Sequence, residues 1–345
     1  MTTDEKILKI FEKKEKVTTV DVVTVLNTSR QYASKKLSEL VRRNKLIKVG
    51  STRNAFYVKP EYASDHFDIF PNRFQKIFIN KKLEEHIVLS EIENYLPTLL
   101  KLDENIKNIF IYAFSEIMNN AIEHSQSEKI QIIVSLEKKT LSFVVNDFGV
   151  GVFRNIMNKK SLNSELEAIQ DLLKGKTTTM PRSHSGEGIF FTSKAGDLFS
   201  LDSYGYKLIV DNKKKDIFLV NKRKKEGTKV EFSINIDSNL HLNDIFKKYT
   251  IPDKYGDSGF DKTEIKIKLY AFGGVFISRS QARRVLSGLD KFKLIVLDFD
   301  KVPLVGQAFA DEIFRVFKNK YPEIKIESIN TNEAVQFMID RVAEI

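Results

Sequence analysis

The chain has 345 residues, a formal net charge of +10 and no cysteine. This length favours two or three domains, and the missing cysteine excludes disulfides and thiolate metal sites. No stretch approaches the roughly 18 apolar residues of a membrane span. The charged start, MTTDEKILKIFEKKEK, lacks the apolar core of a signal peptide. We therefore expect a soluble, cytoplasmic protein that makes no membrane contact.

The first 60 residues are the most basic part of the chain. They contain ten Lys, four Arg and six acids, a net charge of +8, so the other 285 residues contribute only +2. The apolar spacing predicts three short helices, the third at about 29–43, and then a hairpin formed by 46–49 and 55–58. This order resembles a winged helix-turn-helix domain, which we expect over residues 1–62. Concentrated positive charge indicates a polyanionic partner.

We predict that DNA is this partner and that residues 1–60 contact it. In such domains the first turns of the recognition helix meet base edges, and flanking cations meet phosphates. The candidate DNA-binding residues are Arg30, Gln31, Tyr32, Ser34 and Lys35 on the third helix, with Lys36 and the wing-tip Arg53 at phosphates. Winged helices also serve as protein-interaction modules, and a basic helix can simply be solvated. The charge favours DNA.

Residues 63–237 start with helical segments and continue with alternating strands and helices. Within the helix FIYAFSEIMNNAIEHS, three polar residues at positions i, i+4 and i+8 share one stripe: Glu116, Asn120 and His124. A carboxylate and an amide oxygen placed this way suit a hard cation and its water. Asn120 can coordinate Mg²⁺, and Glu116 can polarise a water or hydroxyl. Taken alone, such residues are more often solvated surface.

Two glycine motifs follow. The strand 141–145 leads to Asp147, Gly149 and Gly151, where an Asp can accept the exocyclic amine of adenine while the glycines allow close backbone approach. A tight strand-to-helix turn is the alternative interpretation. Further along, Gly186 and Gly188 precede an apolar run, which places them at a helix N-terminus, where free N–H groups favour phosphate.

Two further residues complete the predicted site. The polar stretch 174–179 lies between the two glycine motifs, where it can cover a triphosphate, and Lys176 within it can pair with a phosphate. An exposed loop lysine more often pairs with nothing. Thr228 leads into the strand 229–234, and its hydroxyl can reach the base.

The order of these motifs resembles the GHKL (Bergerat-type) ATPases, which include histidine kinases, anti-sigma-factor kinases and gyrase-type ATPases. The resemblance covers residues 80–237. It implies a Bergerat α/β sandwich over 63–237 that binds ATP and Mg²⁺. By resemblance, Glu116 is the catalytic base, Asn120 the Mg²⁺ ligand and Asp147 the adenine anchor. The remaining nucleotide contacts are expected from His124, Gly149, Gly151, Lys176, Gly186, Gly188 and Thr228.

The tail is predicted to be a separate small α/β domain. Residues 238–262 are polar and read as a linker, and 263–345 alternate three strands with three helices. The segment 294–317 resembles STAS domains and the STAS-like domains found beside GHKL ATPases. STAS domains are phosphorylated by anti-sigma-factor kinases, but the equivalent loop here, Val305 to Ala308, has no hydroxyl. Contact with another protein or with the ATPase block is the expected role.

Together these patterns predict an α/β multidomain protein: a mostly helical winged helix, a Bergerat ATPase domain and a STAS-like domain. The leading hypothesis is an ATP-responsive DNA-binding regulator. The alternative is a serine/threonine protein kinase of the anti-sigma-factor type that acts on a partner. Expected partners are DNA, a STAS-type or other regulatory protein, and a second copy of the chain in a homodimer.

Overall fold

The computed structural model describes residues 2–50, 55–66, 69–176, 187–252, 258–270 and 276–343. The N-terminal block contains the three predicted helices, the two predicted strands and one further short strand. Its elements are α1 (Thr3–Ile10), β1 (Val17–Thr18), α2 (Thr19–Leu26), α3 (Arg30–Arg42), β2 (Ile47–Val49) and β3 (Phe56–Val58). Strand β3 pairs antiparallel with both β1 and β2. The predicted helices and hairpin are therefore present.

The N-terminal block has its own core. Ile7, Leu37 and Tyr57 are buried together with residues from the other helices of this block. Helix α2 starts with a capping box, in which the Thr18 hydroxyl accepts the Asp21 N–H and the Asp21 carboxylate accepts the Thr18 N–H. Ser29 caps α3 through the Tyr32 N–H. These caps fix where the exposed helix α3 begins.

The middle block is built on one seven-stranded antiparallel sheet. Its elements are α4 (Pro60–Asp65), β4 (Arg73–Ile79), α5 (Glu85–Tyr95), α6 (Glu104–His124), β5 (Lys129–Glu137), β6 (Thr140–Asp147), α7 (Val152–Lys159), α8 (Glu165–Lys174), α9 (Gly188–Ala195), β7 (Leu198–Ser203), β8 (Tyr206–Asp211), β9 (Asp216–Asn221) and β10 (Thr228–Asn235). The strand order is β4-β5-β6-β10-β7-β8-β9. Buried and partly exposed residues alternate along β6 and β10, so the helices cover one face of the sheet.

Aromatic packing attaches α6 to the centre of this sheet. Phe110 and Phe114 of α6 meet Phe143 of β6 edge-to-face, with ring centroids 6.1 and 5.6 Å apart. Phe143 in turn stacks on Phe232 of β10 at 5.0 Å. These contacts hold the polar stripe of α6 in a fixed position relative to the end of β6.

Two segments differ from the sequence prediction. Strand β4 stands where helical segments were expected, at one edge of the sheet, paired with β5. The stretch 238–262, expected to be a linker, contains α10 (Leu242–Tyr249), β11 (Thr250–Pro252) and β12 (Ser258–Phe260). Ile245 and Tyr249 of α10 are buried, which anchors this segment in the core.

The C-terminal block has the predicted alternation of strands and helices. Its elements are β13 (Lys262–Lys266), α11 (Arg279–Leu286), β14 (Leu294–Asp298), α12 (Gln307–Asp311), a π-helical segment (Glu312–Phe317), α13 (Lys318–Lys320), β15 (Lys325–Ile329) and α14 (Glu333–Ala343). Its three strands form a parallel sheet in the order β13-β14-β15. The protein is thus a mixed α/β chain with several sheets. Within the described ranges, no helix has the length and apolar character that crossing a membrane requires.

The middle and C-terminal blocks are joined by buried polar contacts. The Lys174 ammonium donates to the carbonyls of Arg284 and Ser287 at 2.9 and 2.8 Å. The Thr263 hydroxyl donates to the Lys174 carbonyl at 2.7 Å, and the Tyr270 hydroxyl donates to a carbonyl of α8. The buried apolar residues of the two blocks form one continuous cluster. Helix α8 therefore docks directly on the C-terminal block.

Candidate functional site

Helix α6 positions the predicted catalytic and metal-binding residues. Glu116 and Asn120 are both partly buried and lie one turn apart. The Asn120 amide nitrogen donates to the Glu116 carbonyl at 2.8 Å, so this helical turn uses the donor side of the amide. The acceptor oxygen then points away from that bond and can ligate a hard cation. His124 continues the same stripe at the end of α6.

The first residue of α9 lies against the Glu116 carboxylate. A Cβ added to Gly188 would lie 1.9 Å from Oε2 of Glu116, so any larger residue at this position would require the Glu116 carboxylate to move. Tyr112, one helical turn before Glu116, is close to both Glu116 and Glu187. Burial raises its pKa above the usual range, and the carboxylates of Glu116 and Glu187 add to the rise. The structure thus brings Glu116 and Gly188, predicted from separate motifs, into direct contact.

Asp147 is the buried acid of the site. It ends β6, is 4% exposed, and accepts the Gly149 and Thr228 N–H groups on Oδ1 at 3.0 and 3.1 Å. Burial raises the pKa of Asp147, and these N–H donors oppose the rise without cancelling it. The Thr228 hydroxyl also contacts the carboxylate and accepts the Val152 N–H at 2.9 Å. The predicted adenine anchor and the predicted late threonine are therefore neighbours.

The glycine loop after Asp147 is bound to the end of α6. A Cβ on Gly149 would come within 1.7 Å of the Ser125 carbonyl, which accepts the Val150 N–H at 2.9 Å. Gly151 has a φ of +81°, a conformation that L side chains rarely adopt, and it precedes α7. These contacts join the loop after Asp147 to the C-terminal end of α6.

Two predicted nucleotide contacts have other outcomes. The Lys176 ammonium lies against the C-terminal block, 3.1 Å from the Lys291 carbonyl, 3.5 Å from Asp261 and over the ring of Phe292. Its described contacts thus do not support the predicted role at a phosphate. Gly186 lies outside the described residues.

Magnesium would need oxygen ligands beyond the protein. In the parts of the chain that the structure describes, no group of three or more acidic or histidine side chains is arranged to hold a metal ion. Mg²⁺ usually binds to one or two protein oxygens and completes its octahedron with phosphate and water. The Asn120 amide oxygen fits such a partial ligand set.

The predicted DNA-contacting residues lie mostly on the exposed side of α3. The exposed residues are Arg30, Gln31, Tyr32, Ser34 and Lys35. Lys36 differs, because its ammonium is paired with Glu39 at 2.8 Å, which weakens the case for a phosphate contact. Arg53 lies outside the described residues.

Sequence reasoning missed a polar pocket in the N-terminal block. Arg30 and Ser34 of α3 line it together with Lys48 of β2 and Thr18 at the start of α2. The pocket places two cations near hydroxyl groups, an environment suited to a phosphate group. Lys48 lies between Ile47 and the buried Val49 on a strand, and this outward position was the signal that could have identified it.

Comparison with known proteins identifies only the C-terminal block. No curated protein matches the chain. Residues 281–336 match the family model described as a STAS-like domain of unknown function (DUF4325). The match runs from α11 into α14 and includes β14 and β15. The predicted resemblance of the tail is thereby confirmed, and the chain carries a STAS-like domain at residues 281–336.

Proposed function

We propose that the middle block binds ATP with Mg²⁺ and that nucleotide binding regulates DNA binding by the N-terminal block. The observation that carries the proposal is the arrangement of Asp147, with Oδ1 held by the N–H groups of Gly149 and Thr228, beside the stripe of α6. Asp147 presents a buried acceptor, and Asn120 presents an oxygen. Adenine and a phosphate-bound cation need these two features.

The adenine end follows from the chemistry of Asp147. Its described backbone bonds use Oδ1, so Oδ2 is suited to receive the exocyclic amine of the base. An amine would add a further donor to the two N–H groups and the Thr228 hydroxyl, and it would stabilise the ionised carboxylate because desolvation makes a buried charge costly. Adenine would supply the donor.

The phosphate end would lie between α6 and the start of α9. Asn120 would ligate Mg²⁺, and Glu116 would orient and deprotonate the attacking group if the γ-phosphate is transferred. The N-terminus of α9 adds N–H groups that favour phosphate. Because Glu116 already touches Gly188, a nucleotide bound here would contact both helices.

The same arrangement offers a route from nucleotide to the rest of the molecule. Helix α8 lies before the segment 177–186 and α9 lies after it, and α8 docks on the STAS-like domain through Lys174. A nucleotide that engages the start of α9 would act on a helix whose Phe190 lies against Gly175 at the end of α8. This supports a nucleotide-dependent change in how the blocks associate.

The test is a pair of titrations with the full chain. ATP binding is measured by calorimetry with and without Mg²⁺, and duplex DNA from a random pool is then bound with and without ATP·Mg²⁺. We expect ATP to bind more tightly with Mg²⁺ and DNA affinity to change when the nucleotide is present. A chain that binds no ATP refutes the site, and DNA binding that is indifferent to ATP refutes the regulation.

The STAS-like domain favours one alternative, a serine/threonine kinase that phosphorylates a partner. Domains of this type resemble the targets of anti-sigma-factor kinases, and in this alternative Glu116 would serve as the general base. Gly306 and Gln307 at the start of α12 carry no hydroxyl, so the acceptor would be on another protein. Incubation with γ-labelled ATP and STAS-domain proteins tests this, since label transfer that Glu116→Ala abolishes would favour the kinase.

A further inference from the structure

A second basic surface lies on the middle block. Four successive cations follow β9, Lys222, Arg223, Lys224 and Lys225, and all four are exposed. Arg154 from the first turn of α7 is also exposed and belongs to the same surface. We call these five residues the basic loop surface. The small net charge of residues 61–345 does not reveal this local cluster of cations, because acidic residues elsewhere in the range offset it.

Two cations of the basic loop surface lie against the same tyrosine ring, that of Tyr204. The Arg154 guanidinium lies 4.1 Å from the centroid of the Tyr204 ring, and the Lys224 ammonium lies 5.5 Å from it. Tyr204 sits in the tight turn between β7 and β8 with a φ of 42°. Cation–π contacts stabilise a cation beside an aromatic ring without neutralising it. The ring therefore holds two positive groups near each other with their charge intact.

The basic loop surface lacks the acidic partners that other lysines of the same sheet have. At the opposite end of β9, Lys213 pairs with Asp197 at 3.0 Å and Lys214 pairs with Asp211 at 3.5 Å. Within the described residues, by contrast, none of the five cations of the basic loop surface forms an ion pair. The exposed Glu226 follows Lys225, but in the described structure it forms no ion pair with these cations. Cations that lie close together without ion-pair partners repel one another, and an anionic ligand would relieve this repulsion.

We infer that the basic loop surface is a second contact for the DNA backbone. The inference rests on the proposed DNA binding of the N-terminal block, which makes DNA rather than an acidic protein the favoured anion. Arginine and lysine suit phosphate oxygens, and four consecutive exposed cations together with Arg154 can contact more than one backbone phosphate. Such contacts position a duplex without reading its sequence.

The basic loop surface also adjoins the proposed nucleotide site. The loop runs directly into Gly227, where an added Cβ would lie 2.2 Å from the Asp147 carbonyl. Lys225 lies near enough to Asp147 to favour its ionised form. DNA on the loop and adenine at Asp147 would therefore share one structural element. Thermodynamic linkage requires the coupling to be reciprocal. If ATP changes the affinity for DNA by some factor, DNA changes the affinity for ATP by the same factor.

The test compares four full-length proteins by fluorescence anisotropy with a labelled duplex at several salt concentrations. They are the wild type, the loop variant Lys222→Ala/Lys224→Ala, the matched control Lys213→Ala/Lys214→Ala, and the N-terminal variant Arg30→Ala/Lys35→Ala. Lys225 is left intact because of its proximity to Asp147. We expect the loop variant to bind several-fold more weakly and to flatten the slope of log affinity against log salt by about 1.8, or about 0.9 per lost contact. The control should keep the wild-type slope.

The outcomes separate this inference from the proposed function. If the N-terminal variant loses affinity while the loop variant matches the control, DNA binding stands and the second contact is wrong. If the wild type binds no duplex at low salt, both are wrong. A polyglutamate peptide serves as the competing probe. Tighter binding of this peptide than of the duplex, lost in the loop variant, would assign the surface to an acidic protein and overturn the inference. Thermal unfolding of each variant checks that it is folded.

Discussion

The two oxygens of Asp147 allow a test that reverses base preference. In Asp147→Asn, the amide oxygen can still accept the Gly149 and Thr228 N–H groups, while the amide nitrogen takes the place proposed for the adenine contact. Two donors would then face each other with ATP, at a cost of about 1–3 kcal/mol, or roughly 5- to 150-fold in affinity. Inosine triphosphate carries an oxygen at that position, so the variant should prefer it.

Calorimetry with ATP and with inosine triphosphate measures this change in nucleotide preference. Asp237→Asn is the control, because Asp237 is exposed and pairs only with the exposed Lys139 in the described structure. A variant at position 147 that binds ATP as tightly as the wild type would remove Asp147 from the site. Weaker binding of both nucleotides to the same extent would show a structural role only.

Replacement of Glu116 should affect turnover of ATP and leave ATP binding intact. If ATP is turned over, Glu116→Ala should still bind ATP, while phosphate release or transfer falls by about 10²-fold or more, the scale of a lost general base. Glu123→Ala, exposed on the same helix, is the matched control and should keep the wild-type rate. Turnover that is equal in the Glu116 variant and the wild type would exclude Glu116 as the base.

Individual residues show what the sequence could and could not predict. The turn that Asp147 and Gly149 form was predictable because its sequence motif is local, and the Asp147 carboxylate accepts the Gly149 N–H within this turn. The contacts of Lys176 were not, because its partner Asp261 is distant in the sequence and approaches only when the C-terminal block docks. The pairing of Lys36 with Glu39 was readable from helical spacing and was missed.

At the level of elements, one ion-pair cluster joins β9 to the C-terminal block and should respond to pH. Burial alone would raise the pKa of Asp216, but the ammonium groups of Lys268 and Lys301 outweigh it and hold the pKa below the usual 3.8. Because the folded pKa is lowered, the stabilisation is present above pH 4 and is lost as the pH falls through the folded pKa. We expect the free energy of unfolding to decline below pH 4.

Asp216→Asn tests this assignment. The variant should lose about 2 kcal/mol at pH 7, the scale of hydrogen bonds between charged groups, and its stability should depend less on pH below 4. Denaturant unfolding at pH 7 and in steps down to pH 3 gives both quantities. Asp237→Asn, which breaks an exposed pair, should change little. Equal acid sensitivity of Asp216→Asn and the wild type would contradict the role of this cluster.

The elements that were missed have a physical reason. In β4, only Phe74 and Phe78 are buried, and this spacing of four residues imitates a helix, so the strand was not recognised. Helix α10 is short and lies in a polar stretch, and its buried Ile245 and Tyr249 gave a weak signal. The strands of the C-terminal block were predictable because β14 is a continuous apolar run.

For the whole molecule, we expect removal of the N-terminal block and removal of the C-terminal block to have different effects on the melting temperature. The N-terminal block has a separate core, whereas Phe190 and Phe191 of α9 pack against Phe260 at 4.7 and 4.9 Å, and Phe260 meets Phe292 of the C-terminal block. Removal of residues 1–62 should lower the melting temperature only slightly, because it breaks only the small cluster that Val49 and Val58 form with Ala63 and Phe70. Removal of 263–345 should expose the apolar cluster around Phe260 and lower the melting temperature markedly.

Scanning calorimetry and binding of a hydrophobic dye check this difference. The chain without residues 1–62 is the matched control, because it removes a block of comparable size. If the chain that ends at residue 262 melts like the full chain and binds no more dye, the packing of Phe260 and Phe292 does not stabilise the middle block.

The docking of α8 through Lys174 also limits how a signal can travel. A domain on a loose tether can swing about a hinge, but buried contacts on both sides of a helix permit only shear, in which packed helices slide by about 1–2 Å. Nucleotide-dependent changes between the middle block and the STAS-like domain should therefore leave the radius of gyration almost constant. These changes should instead alter hydrogen exchange along α8 and α11, because the Lys174 ammonium donates hydrogen bonds to the carbonyls of Arg284 and Ser287 there.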